Sequence, residues 1–123
     1  MVPGLTKILC VEDEQDIQIV AKLALESVGN FTVHMCSSGN DALAELPGFG
    51  PDIILLDVMM PGMDGPSWVR QALKQRPDVR VVFVSGYAEG NFGQEQSKIP
   101  NSVFLPKPFS LTDLTNTVHN QLH

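Results

Sequence analysis

Short apolar blocks separated by polar punctuation run the length of the chain, and the spacing of each block predicts an element. Thr6-Lys7-Ile8-Leu9-Cys10-Val11 is a strand-length run that ends in acids. From Asp16 to Val28, apolar residues recur at Ile17, Val20, Ala24 and Val28, the spacing of one helix face, and Gly29-Asn30 stops the pattern. Phe31 to Cys36 is a second strand. Ser38 with Asp41 three residues later reads as a helix cap, and Ala42, Leu43 and Leu46 supply the apolar face behind it. Gly48 to Pro51 is rich in breakers and reads as a loop.

Asp52-Ile53-Ile54-Leu55-Leu56-Asp57 is the clearest strand. It is apolar at successive positions, as a central parallel strand covered on both faces must be. Met60-Pro61-Gly62-Met63-Asp64-Gly65 forms a turn. A helix follows with Trp68, Val69, Ala72 and Leu73 on one side, where Trp68 reads as packing. Val79 to Val84 is a fourth buried strand. Gly90 and Gly93 weaken any helix over 88–100, so a short or mobile one is expected there. Ser102 to Leu105 is a fifth strand, and Ser110 with Asp113 caps a last helix carrying Leu111, Leu114, Val118 and Leu122.

Strand and helix thus alternate five times. That alternation predicts an α/β fold, with a parallel sheet between two helical layers and a single domain spanning 1–123. With 43% hydrophobic and 18% charged residues, the chain can build one core and is not a disordered segment. No apolar run approaches the roughly 20 residues that span a bilayer, and Met1-Val2-Pro3-Gly4 does not open a secretory signal. A cytoplasmic setting is expected, tethered if the parent protein is membrane-anchored. The formal charge of −6 argues against nucleic acid, which needs a basic footprint. Cys10 and Cys36 lack C-x-x-C spacing and read as two buried reduced thiols rather than a disulfide or a metal pair. His34, His119 and His123 read as surface or chain-end residues.

The chemistry collects where the strands end. In open α/β sheets, ligands sit at the carboxyl ends of the strands, where the strand order reverses. Here the first strand runs into Glu12-Asp13, the third ends in Asp57, the fourth runs into Ser85, and the fifth is followed by Lys107-Pro108. Three converging carboxylates repel one another, and burying them uncompensated is costly. A divalent cation resolves the conflict, and an oxygen-only ligand set suits Mg²⁺, with Mn²⁺ as the alternative ion. Lys107 could take charge on a phosphoryl group and Ser85 could donate a hydrogen bond to it, so the set suits in-line transfer to Asp57.

Four segments carry a resemblance. Val11-Glu12-Asp13-Glu14, Leu55-Leu56-Asp57-Val58-Met59-Met60-Pro61-Gly62-Met63-Asp64-Gly65, Val84-Ser85-Gly86-Tyr87 and Leu105-Pro106-Lys107-Pro108-Phe109 together resemble response-regulator receiver (CheY-like) domains over nearly the whole chain. The resemblance implies a flavodoxin-like (βα)5 sandwich with strand order 2-1-3-4-5. It implies phosphorylation of Asp57 and Mg²⁺ held by Glu12, Asp13, Asp57 and the backbone carbonyl of Met59. It also implies a switch pair, Ser85 and Phe104, and a cis peptide between Lys107 and Pro108. Phosphorylation would draw Ser85 inward, let Phe104 follow, and reshape the surface of residues 88–100, the last strand and the last helix.

Glu12 stands where Asp is commoner in such domains, and Gly86 where many have Ala. Met59 and Tyr87 occupy the positions that tend to set self-dephosphorylation. Neither can position a water through a carboxamide, so rapid loss of phosphate is not expected. Asp64-Gly65-Pro66-Ser67-Trp68-Val69 with Ser85-Gly86-Tyr87-Ala88-Glu89 is similar to C-terminal receivers of alphaproteobacterial cell-cycle hybrid histidine kinases.

The implied partners are a histidine kinase, a histidine phosphotransferase or both, with no membrane contact by the domain. A monomer is expected, with weak dimerisation as the alternative. The domain promotes its own phosphorylation but turns over no metabolite. Because the chain stops after the last helical pattern, no DNA-binding or enzymatic output is expected to follow, and a stand-alone regulator is the alternative to part of a hybrid kinase. Two readings of another class fit less well. An aspartyl-phosphate phosphatase of the haloacid-dehalogenase type wants a second Asp where Met59 stands. A flavin-binding domain wants a phosphate-cradling loop where Glu12-Asp13-Glu14 would repel phosphate.

Overall fold

The structure is a computed structural model that describes residues 6–28, 31–58, 60, 65–85, 102–106 and 109–122. Five strands, β1 (Lys7–Val11), β2 (Thr32–Cys36), β3 (Ile53–Asp57), β4 (Arg80–Ser85) and β5 (Ser102–Pro106), form one sheet in the order β2-β1-β3-β4-β5. Every neighbouring pair is parallel. The expected order and fold class are observed. The chain leaves β1 to one side for β2, then returns to the other side for β3, so the order reverses between β1 and β3.

Among the described residues, the helices are α1 (Gln15–Leu23), α2 (Gly39–Phe49), α3 (Gly65–Gln75) and α4 (Leu111–Leu122). None is long and apolar enough to cross a membrane. Strand side chains alternate between faces, and the core splits accordingly. Leu9, Val11, Ile54, Leu56, Val81 and Phe83 pack with Ala42 and Leu46 of α2 and with Trp68, Val69 and Ala72 of α3. Ile8, Cys10, Ile53, Leu55, Val82 and Val84 pack on the opposite face with Ala21 of α1 and Leu114 and Val118 of α4. β3 is buried at all five positions, which accounts for its unbroken apolar run. Cys10 and Cys36 are both free and buried, and they lie in the two different clusters.

Both predicted caps are present. The Asp41 backbone N–H donates to Ser38 Oγ at 3.1 Å. The Asp113 N–H donates to Ser110 Oγ at 3.0 Å, while the Ser110 N–H donates to Asp113 Oδ2 at 3.3 Å, a reciprocal capping box.

Two elements differ from the sequence reading. The helix expected over Asp16–Val28 is α-helical to Leu23 and then widens into a π-helical segment, Ala24–Val28, where the Phe31 N–H reaches the Leu25 carbonyl at 2.9 Å. The breaker-rich stretch from Gly48 does not end α2, which continues through Pro47 to Phe49. A proline near the last turn removes only one helical donor. Gly50 then closes the helix with φ 63°, a left-handed conformation suited to glycine, and donates its N–H to the Leu46 carbonyl at 3.0 Å. The helix expected within 88–100 lies outside the described residues.

Leu46 is fully buried between α2 and the sheet. Leu46→Ala should therefore cost about 2–5 kcal/mol in urea unfolding followed by circular dichroism. A loss well below 1 kcal/mol (roughly the effect of a surface change) would contradict this packing.

Candidate phosphoacceptor site

Parallel register brings the acids together. Val11 pairs with Leu56 and Asp57 with Val84, so the residue after β1, Glu12, lies beside the last residue of β3, Asp57. Glu12, Asp13, Glu14 and Asp57 each offer a carboxylate oxygen, and these oxygens lie within 4.8 Å of one another. Glu12 is 3% and Asp57 2% exposed, whereas Asp13 and Glu14 face solvent. At that spacing, two carboxylates repel by about 3 kcal/mol for an effective dielectric near 20. The donor set is all oxygen, anionic and partly open to water, which fits a hard divalent cation.

The backbone around Glu12 is held from several sides. Its N–H donates to the Cys36 carbonyl at 3.0 Å, tying the end of β1 to the end of β2. The Gln18 side-chain amide donates to the Glu12 carbonyl at 2.5 Å and to Ser37 Oγ at 3.1 Å. The Glu14 N–H donates to Glu12 Oε2 at 3.1 Å, which orients that carboxylate. Glu14 is also the N-terminal cap residue of α1, so its charge meets the positive end of the helix. Beyond Asp57, the Val58 N–H continues the ladder to the Val84 carbonyl at 3.0 Å.

Of the residues singled out from sequence, the structure brings Glu12, Asp13 and Asp57 together and adds Glu14. Ser85 ends β4, paired with Pro106 of β5. Phe104 pairs with Phe83 and is half-buried against the cluster under α2 and α3. Trp68 is buried, and its indole N–H donates to the Gly39 carbonyl at 2.8 Å, so it serves packing as expected. Met59, Lys107 and Pro108, with the expected cis peptide, lie outside the described residues, as do Gly86 and Tyr87.

Sequence reasoning passed over Gln18 and the role of Glu14. It also read His34 as a plain surface residue, whereas His34 Nε2 is hydrogen-bonded to Glu45 Oε1 and Cys36 Sγ donates to Glu45 Oε2 at 3.8 Å. Burial, then the charge and hydrogen bond of Glu45 and the charge of Asp41, push the Cys36 thiol up to about 11. A cavity of about 390 Å³ lined by Thr6, Asp52, Arg76 and Arg80 opens by the start of β4, at the other end of the sheet from the carboxylates.

The family model for the response regulator receiver domain matches residues 8–119. The chain belongs to that family. Receivers are the phosphoacceptor modules of two-component signalling, and this receiver has the fold and the acidic cluster that role requires. It is 43% identical over 121 residues to the sensor kinase CckA of Brucella abortus (strain 2308), a match covering 97% of this chain and 13% of that protein. It is 31% identical over 116 residues to the response regulator receiver protein CpdR of the same organism, covering 94% of this chain and 96% of that one. The crystal structure of the receiver domain from the hybrid histidine kinase CckA superposes with a TM-score of 0.77 at 33% identity, covering 95% and 99% of the two chains.

If the carboxylates repel as their spacing requires, neutralising one should stabilise the cation-free receiver. Asp13→Asn is expected to raise the melting temperature in chelator by a few degrees, and added salt should shrink the gain. Calorimetry at two salt concentrations checks this. An unchanged or lower melting temperature at low salt would contradict it.

Proposed function

We propose that Asp57 is the phosphoacceptor of this receiver, and that Glu12, Asp13 and Asp57, with the backbone carbonyl of Met59, hold Mg²⁺, for which Mn²⁺ can substitute. The observation that carries the reading is a nearly inaccessible Asp57 at the carboxyl end of a central strand, its carboxylate oxygen within 4.8 Å of those of Glu12 and Asp13. When bound, Mg²⁺ supplies the positive charge that offsets the clustered carboxylates and the incoming phosphoryl group.

Asp57 attacks the phosphorus of a phosphohistidine. The N–P bond breaks as the O–P bond forms, and the histidine nitrogen leaves with the electron pair. Lys107 takes charge on the phosphoryl oxygens and Ser85 donates a hydrogen bond to one of them. Ser85 is drawn inward, Phe104 follows, and the surface of residues 88–100, β5 and α4 changes. The place of Ser85 at the end of β4 and of Phe104 on the adjacent strand supports this coupling.

The donor is a histidine kinase, a histidine phosphotransferase or both. α1 starts directly after the acids and leaves Ile19 66% and Leu23 54% exposed, with Val20 beside them. These apolar residues, one turn apart and flanking the site, suit a helical partner that presents its phosphohistidine to Asp57. Similarity to CckA supports a place for this receiver, residues 1–123, within a cytoplasmic portion of a hybrid histidine kinase. Similarity to CpdR over 96% of that protein supports the second reading, a stand-alone monomeric regulator.

Phosphotransfer profiling with Mg²⁺ against the histidine kinases and phosphotransferases of the source organism tests the assignment. Wild type should acquire label and Asp57→Asn should not. Ile19→Asp should slow transfer from the protein donor by about tenfold or more, equivalent to about 1.4 kcal/mol of docking, while labelling by acetyl phosphate stays unchanged. Label that persists in Asp57→Asn defeats the acceptor assignment, and equal slowing with both donors defeats the docking face.

A further inference from the structure

β2 reads Thr32-Val33-His34-Met35-Cys36, and its alternation sends His34 and Cys36 to the same face. Val33 belongs to the core under α1 and α4, whereas Cys36 belongs to the core under α2 and α3. α2 crosses the His34–Cys36 face and carries Glu45. His34, Cys36 and Glu45 each offer one ligand atom, and these atoms lie within 4.8 Å of one another. β2 is the edge strand of the sheet, on the outer side of β1.

We propose that His34 Nε2, Cys36 Sγ and the Glu45 carboxylate form a second metal site that binds Zn²⁺. One nitrogen, one sulfur and one oxygen suit a borderline-soft ion, and the thiolate disfavours Mg²⁺ and Ca²⁺. Tetrahedral zinc, with bonds of about 2.0–2.3 Å, places its ligand atoms about 3–4 Å apart, which lies inside the 4.8 Å the three donors span and requires the close His34–Glu45 pair to open around the ion. Glu45 already bridges the other two donors, accepting from Cys36 Sγ with one oxygen and hydrogen-bonded to His34 Nε2 with the other. Zn²⁺ takes the place of the hydrogens Glu45 shares with Cys36 and His34: the thiol proton leaves to water, and the imidazole proton passes through water from Nε2 to Nδ1, so the neutral ring binds through Nε2.

The surroundings hold the donors in position. The His34 ring packs 5.3 Å from the Phe49 ring at the end of α2, and Lys7 Nζ lies 5.7 Å from the same ring. Cys36 is anchored in the core, while the His34 and Glu45 side chains are 38% and 48% exposed, which gives the ion an entry path and leaves the fourth position to water. The site clips β2 to α2. It is also one peptide from the acidic cluster, because the Cys36 carbonyl accepts the Glu12 N–H at 3.0 Å.

Cobalt substitution tests the site apart from the carboxylate cluster, because only a thiolate ligand produces a sulfur-to-cobalt charge-transfer absorption. One equivalent of Co²⁺ added to the reduced 123-residue protein should produce that absorption. Zn²⁺ should abolish it and excess Mg²⁺ should leave it intact. Cys36→Ala should lose it. His34→Ala and Glu45→Ala, both on the open side and checked for folding by circular dichroism, should each weaken Co²⁺ binding by about tenfold or more. The proposal is overturned by no absorption at excess Co²⁺, by an absorption that survives Cys36→Ala or yields to Mg²⁺, or by unchanged affinity in both open-side variants.

Discussion

Repulsion between the carboxylates of Glu12 and Asp57 is the constraint around which this receiver is organised. Both side chains are almost wholly buried, and Asp13 and Glu14 add charge at the rim. Such an arrangement opposes folding, so it persists only because the remainder of the fold outweighs it. The opposing contribution is visible in β3, where Ile53, Ile54, Leu55 and Leu56 are buried between two helical layers. The strand that bears the Asp57 carboxylate is thus among the most firmly packed elements of the molecule. A carboxylate held rigidly among like charges is poised to gain from a cation.

The parallel sheet does the convergence. A β1–β3 pairing shifted by one residue would bring Val11 level with Asp57 and Glu12 past it, and the cluster would open. Hydrogen bonds from Gln18 and to Cys36 then fix the Glu12 backbone against the ends of β1 and β2. α1 combines two duties, because its N-terminal residues wall the acidic cluster while Ile19 and Leu23 remain outside the core. α1 thus both borders the carboxylate cluster and offers an exposed apolar face.

Much of this was legible from residue order. The unbroken apolar run of β3 announced a central strand, and Ser38-Asp41 and Ser110-Asp113 announced two caps, because these signals depend on near neighbours in sequence. Glu12, Asp13 and Asp57 were legible as a group because strand ends in an open α/β sheet converge by topology alone. The end of α2 was not. Pro47 and Gly48 favour a stop, and only the packing of Phe49 with the closure at Gly50 carries the helix past them. Gln18 and Glu14 were missed because their roles depend on which way a side chain turns at a helix start. The His34–Cys36–Glu45 cluster was missed because its third member comes from another element, and the angle of α2 across β2 is not written in local spacing.

Direct mapping of the phosphoryl group on the protein is the most decisive measurement. Purified receiver is incubated with acetyl phosphate with and without Mg²⁺, its intact mass is recorded, and the acyl phosphate is reduced with borohydride to mark the acceptor before peptide sequencing. One phosphoryl group per chain, formed only with the divalent ion and mapped to Asp57, is the predicted result. Modification at another residue, or equal modification of Asp57 in the presence of chelator, would contradict the role given to the buried carboxylate cluster.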